Sequence, residues 1–364
     1  MRYNVALLYT GGTIGCEGFP LAPVPGEIFR ERFNAIPWYS GGALRAGCDE
    51  IVCRIEWIGR PADSSDLVPL DWLAMAVWVL ERYDRYDGFV ILHGTDTMSW
   101  SASALSFLLQ GLSKPVVFTG SQLPLFQERS DAAQNLLTSV ILAATFDIPE
   151  VSLFFDHLLF RGNRSVKVDA RSFSAFASPN YPELGRAGTE IVINRSLHLD
   201  PPAGAVSLDD PLNRISRLQE LSLLRQVMAD YCVVALTLFP GIPAGMIDAL
   251  LSLSPRLRGI VLKSFGSGNA PVSGGFIDAL ARAREQGVVV VDATQVLSGT
   301  VRMKNYETGY RLQQSAHAVC GHDLTAEAAL AKLICLTGKA LIEGCGTDFV
   351  ETGIETLICG EMTL

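Results

Sequence analysis

One pattern recurs along these 364 residues. A short apolar, β-branched run leads into a loop of Gly, Thr and Ser, and then into a stretch with helical periodicity. Residues 5–9 run into Thr10-Gly11-Gly12-Thr13. Residues 89–92 run into His93-Gly94-Thr95-Asp96-Thr97, with a helical pattern over 99–110. Residues 115–119 run into Gly120-Ser121-Gln122, with a helical pattern over 131–145, and 151–155 is a further strand candidate. Strands are again expected at 232–238, 260–264 and 288–292, with helices at 244–251, 276–286 and 325–337. Strands alternating with helices of this length predict right-handed βαβ units and parallel sheets. Between the two series, residues 191–214 hold Pro201-Pro202-Ala203-Gly204 and Asp209-Asp210-Pro211 without clear periodicity, and read as a linker. The expected fold is α/β: two α/β domains, a larger N-terminal one (1–190) and a smaller C-terminal one (215–364), each with a mostly parallel sheet flanked by helices.

Composition narrows the partners. Apolar residues make up 49% and charged residues 18%, enough to build a sizeable core and incompatible with intrinsic disorder. The net charge of −9, with no Lys/Arg run, gives no electrostatic footprint for nucleic acid or an anionic membrane surface. Mean hydropathy is +0.27, yet no apolar stretch approaches the roughly 20 residues of a membrane-spanning helix. Met1-Arg2-Tyr3-Asn4 leads straight into a strand-like run without a leader pattern, so the expected location is the cytoplasm. Eight scattered cysteines without a Cys-x-x-Cys fit reduced thiols, and Cys320-Gly-His322 is the nearest approach to metal-ligand spacing. No metal and no organic cofactor are expected.

In parallel α/β sheets, functional groups gather in loops at the carboxyl ends of strands. Residues 10–15, 93–97 and 120–122 are such loops, and Asp63-Ser64-Ser65-Asp66 adds a fourth polar cluster. Thr10-Gly11-Gly12-Thr13-Ile14-Gly15 lacks the Gly-x-Gly-x-x-Gly spacing of a dinucleotide loop, and no Walker lysine is present. It offers a tight turn with Thr13 at its apex. Thr95 and Asp96 put a hydroxyl and a carboxylate at the mouth of a cleft, although Asp96 or Thr97 could equally cap the following helix. His93 reads as a packed structural histidine.

Taken in order, these segments resemble the bacterial cytosolic (type I) L-asparaginase family. The resemblance is carried by Tyr9-Thr10-Gly11-Gly12-Thr13-Ile14-Gly15, Asp63-Ser64-Ser65-Asp66, residues 87–98, Thr119-Gly120-Ser121-Gln122 and Arg129-Ser130-Asp131. Residues 161–167, Ser178-Pro179-Asn180 and residues 264–271 extend it to at least residue 335. It implies hydrolysis of L-asparagine to aspartate and ammonia, with Thr13, Thr95, Asp96 and Lys167 as catalytic residues. Gly12, Asp63, Ser64, Ser65, Thr95, Asp96, Ser121 and Asn269 would bind the small-molecule substrate. Asn269 would complete a neighbouring subunit's site in a homodimer or homotetramer. A threonine hydroxyl needs a base, and a lysine serves as one only when it gives up its proton. Backbone N–H groups near Gly12 and Thr95 are the expected oxyanion donors.

One departure stands out. The family carries a tyrosine shortly after the first threonine, whereas residues 16–26 (Cys-Glu-Gly-Phe-Pro-Leu-Ala-Pro-Val-Pro-Gly) contain none. Phe19 or Leu21 falls near its place, and Tyr39 is a candidate substitute. Glutaminase-leaning hydrolysis and an amino-acid sensor without turnover remain alternatives. The related tRNA-dependent amidotransferase subunit carries a further domain ahead of the Thr-Gly-Gly-Thr motif, which here starts at residue 10.

Overall fold

A computed structural model describes residues 1–39 and 42–364, divided into two units, Met1–Gln219 and Glu220–Leu364. In the first unit the strands are β1 (Arg2–Tyr9), β2 (Leu44–Ala46), β3 (Asp49–Glu56), β4 (Gly88–Leu92), β5 (Val116–Thr119), β6 (Val151–Phe155), β7 (Leu158–Arg161), β8 (Gly185–Ala187) and β9 (Ile191–Ile193). They form one sheet in the order β9-β8-β7-β6-β5-β4-β1-β3-β2. The central run β3-β1-β4-β5-β6 is parallel, while β2 and β7 to β9 are antiparallel. The sheet is therefore mixed, parallel only at its centre.

The parallel strands are buried on both faces, as their continuous apolar sequences require. Val5, Leu7 and Tyr9 of β1 join one core with Phe29 and Phe33 of α1 (Gly26–Asn34) and with Leu136 and Val140 of α4 (Ala132–Thr145). Two further helices are α2 (Pro69–Arg82) and α3 (Met98–Leu108). Nearly every side chain of α3 is buried, and its Ser101 hydroxyl accepts the Trp72 indole N–H at 3.1 Å. Sequence reading missed β3 because only Ile51 and Ile55 of that strand are fully buried, and charged residues break its apolar run. The stretch expected as a linker packs with the first unit instead. Residues 191–193 form β9, and Leu208 is 1% exposed.

Strand order places the working end. From β1 the chain crosses to β3 on one side, whereas β4, β5 and β6 continue on the other. This reversal leaves a crevice beyond the carboxyl ends of β1 and β4, the usual ligand position in open α/β sheets.

The second unit holds a fully parallel sheet of β10 (Tyr231–Thr237), β11 (Arg256–Ser264), β12 (Val289–Thr294) and β13 (Val319–Cys320), in that order. Alternate residues serve opposite cores: Ile260, Leu262, Val288 and Val290 on one face, Val261, Val289 and Val291 on the other. The C-terminal segment is fastened by a fully buried ion pair, Lys332 Nζ to Glu361 at 2.7 Å. The same ammonium donates to the carbonyls of Ile354 and Thr356.

Asp292, at the carboxyl end of β12, is fully buried, and neither carboxyl oxygen closes a well-formed hydrogen bond. Burial pushes its pKa up from 3.8 to about 6, and the nearby Ser264 hydroxyl offsets only part of this. Because the folded form holds its proton more tightly than the unfolded chain, this carboxyl costs stability as pH rises from 3.8 through 6. The cost above pH 6 is about 3 kcal/mol. Asp292→Asn is expected to raise the denaturation midpoint at pH 7 and to leave it nearly unchanged below pH 4. An equal effect at both pH values in urea titrations would contradict this.

Candidate active site

Four loops of the first unit meet at this crevice. The first leaves β1, whose extension is held by the Thr10 N–H donating to Leu92 O at 3.0 Å. Gly12 follows with φ +76°, and a Cβ there would sit 2.3 Å from Gly94 Cα, so only glycine lets the first loop lie against the second. Its N–H donates to Ala62 O at 3.1 Å. That amide is therefore engaged within the protein, and Gly12 contributes close approach. Thr13 begins a single 3₁₀ turn, partly exposed, and its hydroxyl has no partner among the described residues.

The second loop carries His93, Thr95, Asp96 and Thr97. Neither Asp96 nor Thr97 caps α3. Thr97 Oγ1 instead donates to Ser64 O at 2.8 Å, tying in the third loop. Within that third loop Asp63 Oδ1 accepts from both the N–H and the hydroxyl of Ser65, at 2.9 and 2.8 Å, which holds the Asp63 carboxyl below the usual range. Asp63 and Ser65 therefore shape the turn that places the buried Ser64 against Gly94.

Lys167 arrives on a two-residue strand, Val166–Lys167, paired antiparallel with Phe176–Ala177. Its Nζ lies 2.7 Å from Thr95 Oγ1 and 2.7 Å from Asp96 Oδ1. The Lys167 side chain is 19% exposed, that of Asp96 64%. The segment leading to it is anchored by the buried Arg161–Glu150 ion pair at 2.6 Å and by the buried Arg164, whose guanidinium donates to Asn180 O.

The fourth loop supplies a residue that sequence reading passed over. Gln122 Oε1 accepts from Thr95 Oγ1 at 3.4 Å, while its Nε2 donates to Ser172 O at 2.9 Å. Asp131 fixes this loop by accepting the N–H groups of Gln122 and Leu123. The signal was the Thr-Gly-Ser-Gln motif itself, with its fourth residue left unassigned. Ser121 is buried, its hydroxyl donating to Leu123 O at 2.5 Å within its own loop.

Tyr39 cannot replace the absent tyrosine: it is buried, its hydroxyl donating to Cys53 O and accepting from Cys53 N–H on β3. Asn269 lies in the second unit, where its Oδ1 accepts from Thr308 at 2.8 Å. Among the described residues no group of three or more His, Cys, Asp or Glu side chains could hold a metal ion.

Comparison with known proteins identifies the family. The family model "Asparaginase, N-terminal" matches residues 4–199, and "Glutaminase/Asparaginase C-terminal domain" matches residues 232–343. L-asparaginase 1 of Escherichia coli is 39% identical over the full chain, with 98% of that protein covered. The human 60 kDa lysophospholipase is 37% identical over 98% of this chain, which spans 61% of the human protein's length. The crystal structure of L-asparaginase I from Vibrio cholerae superposes with a TM-score of 0.81 at 36% identity, covering all of both chains.

His93 gives the site loop its pH dependence. It is fully buried, and its Nδ1–H donates to Gly94 O at 2.7 Å. Burial pushes its pKa down from 6.5 to about 4. The unfolded chain binds this proton first, so stability is complete above pH 6.5 and falls by about 3 kcal/mol as pH drops to 4. In chemical denaturation the stability difference between wild type and His93→Gln should change by about 3 kcal/mol between pH 6.5 and 4, since the opposite contribution of Asp292 is common to both chains. Identical slopes would contradict it. Its two matched domains and the full-length similarity place this chain in the asparaginase family.

Proposed function

We propose that the chain hydrolyses the side-chain amide of L-asparagine, giving L-aspartate and ammonia through a threonine ester. The observation that supports this most is the contact of Lys167 Nζ with both Thr95 and Asp96, 2.7 Å each, set in the crevice where strand order reverses. A binding pocket needs no hydroxyl–amine–carboxylate chain, whereas activation of a weak nucleophile does.

In the proposed sequence Thr13, with its uncommitted hydroxyl, attacks the amide carbon. Its proton passes by way of Thr95 to Lys167, which must be in its amine form to accept it. The proton is returned to the departing nitrogen, and ammonia leaves. Water then attacks the ester and frees aspartate. The exposed Asp96 carboxylate holds Nζ in place and receives the substrate's ammonium, while Ser64 faces the α-carboxylate. The Thr95 N–H, which meets no acceptor among the described residues, is available to the developing oxyanion. Such a donor is worth about 3 kcal/mol in the transition state. Ser65 and Ser121 flank these contacts. Asn269 acts in a neighbouring copy's site, making the working form a homodimer or homotetramer, and the location is cytoplasmic.

Ammonia release from asparagine and glutamine tests the reading. Wild type releases ammonia, while Thr13→Ala and Lys167→Met each lose about 100-fold or more in kcat with unchanged circular dichroism. Near-normal turnover by Lys167→Met contradicts the proposed base. Binding of asparagine without ammonia above the Thr13→Ala level makes the chain a sensor instead.

A further inference from the structure

Asn269 stands in a tight turn directly after β11. The turn closes on itself: the Asn269 N–H donates to Phe265 O and the Phe265 N–H to Asn269 O, each at 2.9 Å. Thr308, on the helix Glu307–Ala316, donates to Asn269 Oδ1 at 2.8 Å. The Asn269 Nδ2 group has no acceptor among the described residues, so it is available to a ligand oxygen. Gly309 of the same helix packs on the turn, where a Cβ would sit 2.8 Å from Gly268 O.

The floor of this turn is a carboxyl group. Asp292 lies on the neighbouring strand β12, opposite Leu262 of β11. A Cβ at Gly268, whose φ is +108°, would fall 2.8 Å from Asp292 Oδ2, so only glycine lets the turn rest there. Val301 and Met303 crowd the same spot. Asp292 is fully buried, and neither of its oxygens closes a well-formed hydrogen bond. Desolvation and the Ser264 hydroxyl bear on its protonation, with no basic group beside them. From β13 the titratable Cys320 thiol faces it, and a charge on Asp292 holds that thiol in its protonated form. Arg302 and Lys304, on either side of Met303, are exposed, and His322 is half-buried.

A buried carboxylate without a counter-charge is costly. The packed turn therefore suits the neutral acid, which burial favours up to about pH 6. Above that the charge demands water or N–H donors, and the turn resting on Oδ2 must give way to admit them. We infer that Asp292 is the positioning residue of Asn269: its uncharged carboxyl seats the 265–269 turn, and its ionisation unseats Asn269 and weakens substrate binding. The inference rests on the reading above that Asn269 reaches the substrate in a neighbouring copy's site, and adds the group that controls it.

The test compares KM and kcat for asparagine, by ammonia release from pH 5 to 7.5, in wild type and Asp292→Asn. The amide has the shape of the neutral acid and takes no charge. The ratio of wild-type to variant KM is expected near one at pH 5 and about threefold or more at pH 7.5. The kcat ratio stays flat, and groups common to both chains, His93 included, cancel. In an Asn269→Ala background the same substitution leaves the pH dependence of KM unmoved, a result that general loosening of the domain would not give. Turnover with a KM ratio constant across this range overturns this inference alone, as does a pH-dependent ratio that survives in Asn269→Ala. No ammonia from wild type at any pH defeats the amide reading and this inference with it.

Discussion

The site depends on one contact. The side-chain nitrogen of Lys167 is held between a threonine hydroxyl and an aspartate carboxylate that lie 72 and 71 residues away along the chain. Nothing local brings them together. Thr95 and Asp96 are delivered by the buried parallel strand β4, whose neighbours on both sides are also buried. Lys167 is delivered by a two-residue strand whose approach is fixed through buried arginines. The sheet's order then turns this contact into a site, because the chain continues from the paired strands β1 and β4 to opposite sides of the sheet and leaves space beyond their ends. A single methyl group at Gly12 would close that space against Gly94.

How much of this was legible in sequence follows from burial. Strands buried on both faces read as continuous apolar runs, so β4, β5 and β6 could be located within a residue, and β1 within three at its start. The edge elements could not. β3 is half polar, and β8 and β9 are three residues each in a stretch of prolines and loops. Residue types in the site loops were legible; the direction of each hydrogen bond was not. Oxyanion donors were expected among the amides near Gly12, and only coordinates show that the N–H of Gly12 itself donates to Ala62 O. Tyr39 was a chemical candidate with no signal of its position, and the structure buries it against β3. Gln122 was inside a quoted motif, yet only coordinates connect it to Thr95 and to residue 172.

Burial sets the protonation of the surroundings in opposite senses. His93 sits neutral at the start of the Thr95–Asp96 loop because its imidazole has no water to stabilise a charge. Asp292, in the second unit, is pushed toward its neutral acid for the same reason. Beyond Thr13, in a stretch that holds no tyrosine, the hairpin of Cys16–Glu17 and Ala22–Pro23 carries the exposed Phe19 and Leu21, side chains that exchange no protons.

The central claim is that Thr13 is the nucleophile and Lys167 the group that deprotonates it. A diazoketone analogue of asparagine, which alkylates an activated hydroxyl, tests both at once by intact mass and peptide mapping. The account predicts one equivalent of label on Thr13, forming about 100-fold more slowly when Lys167 is replaced by Met. Label on a residue outside the four loops, or labelling at an unchanged rate without the lysine, would contradict it.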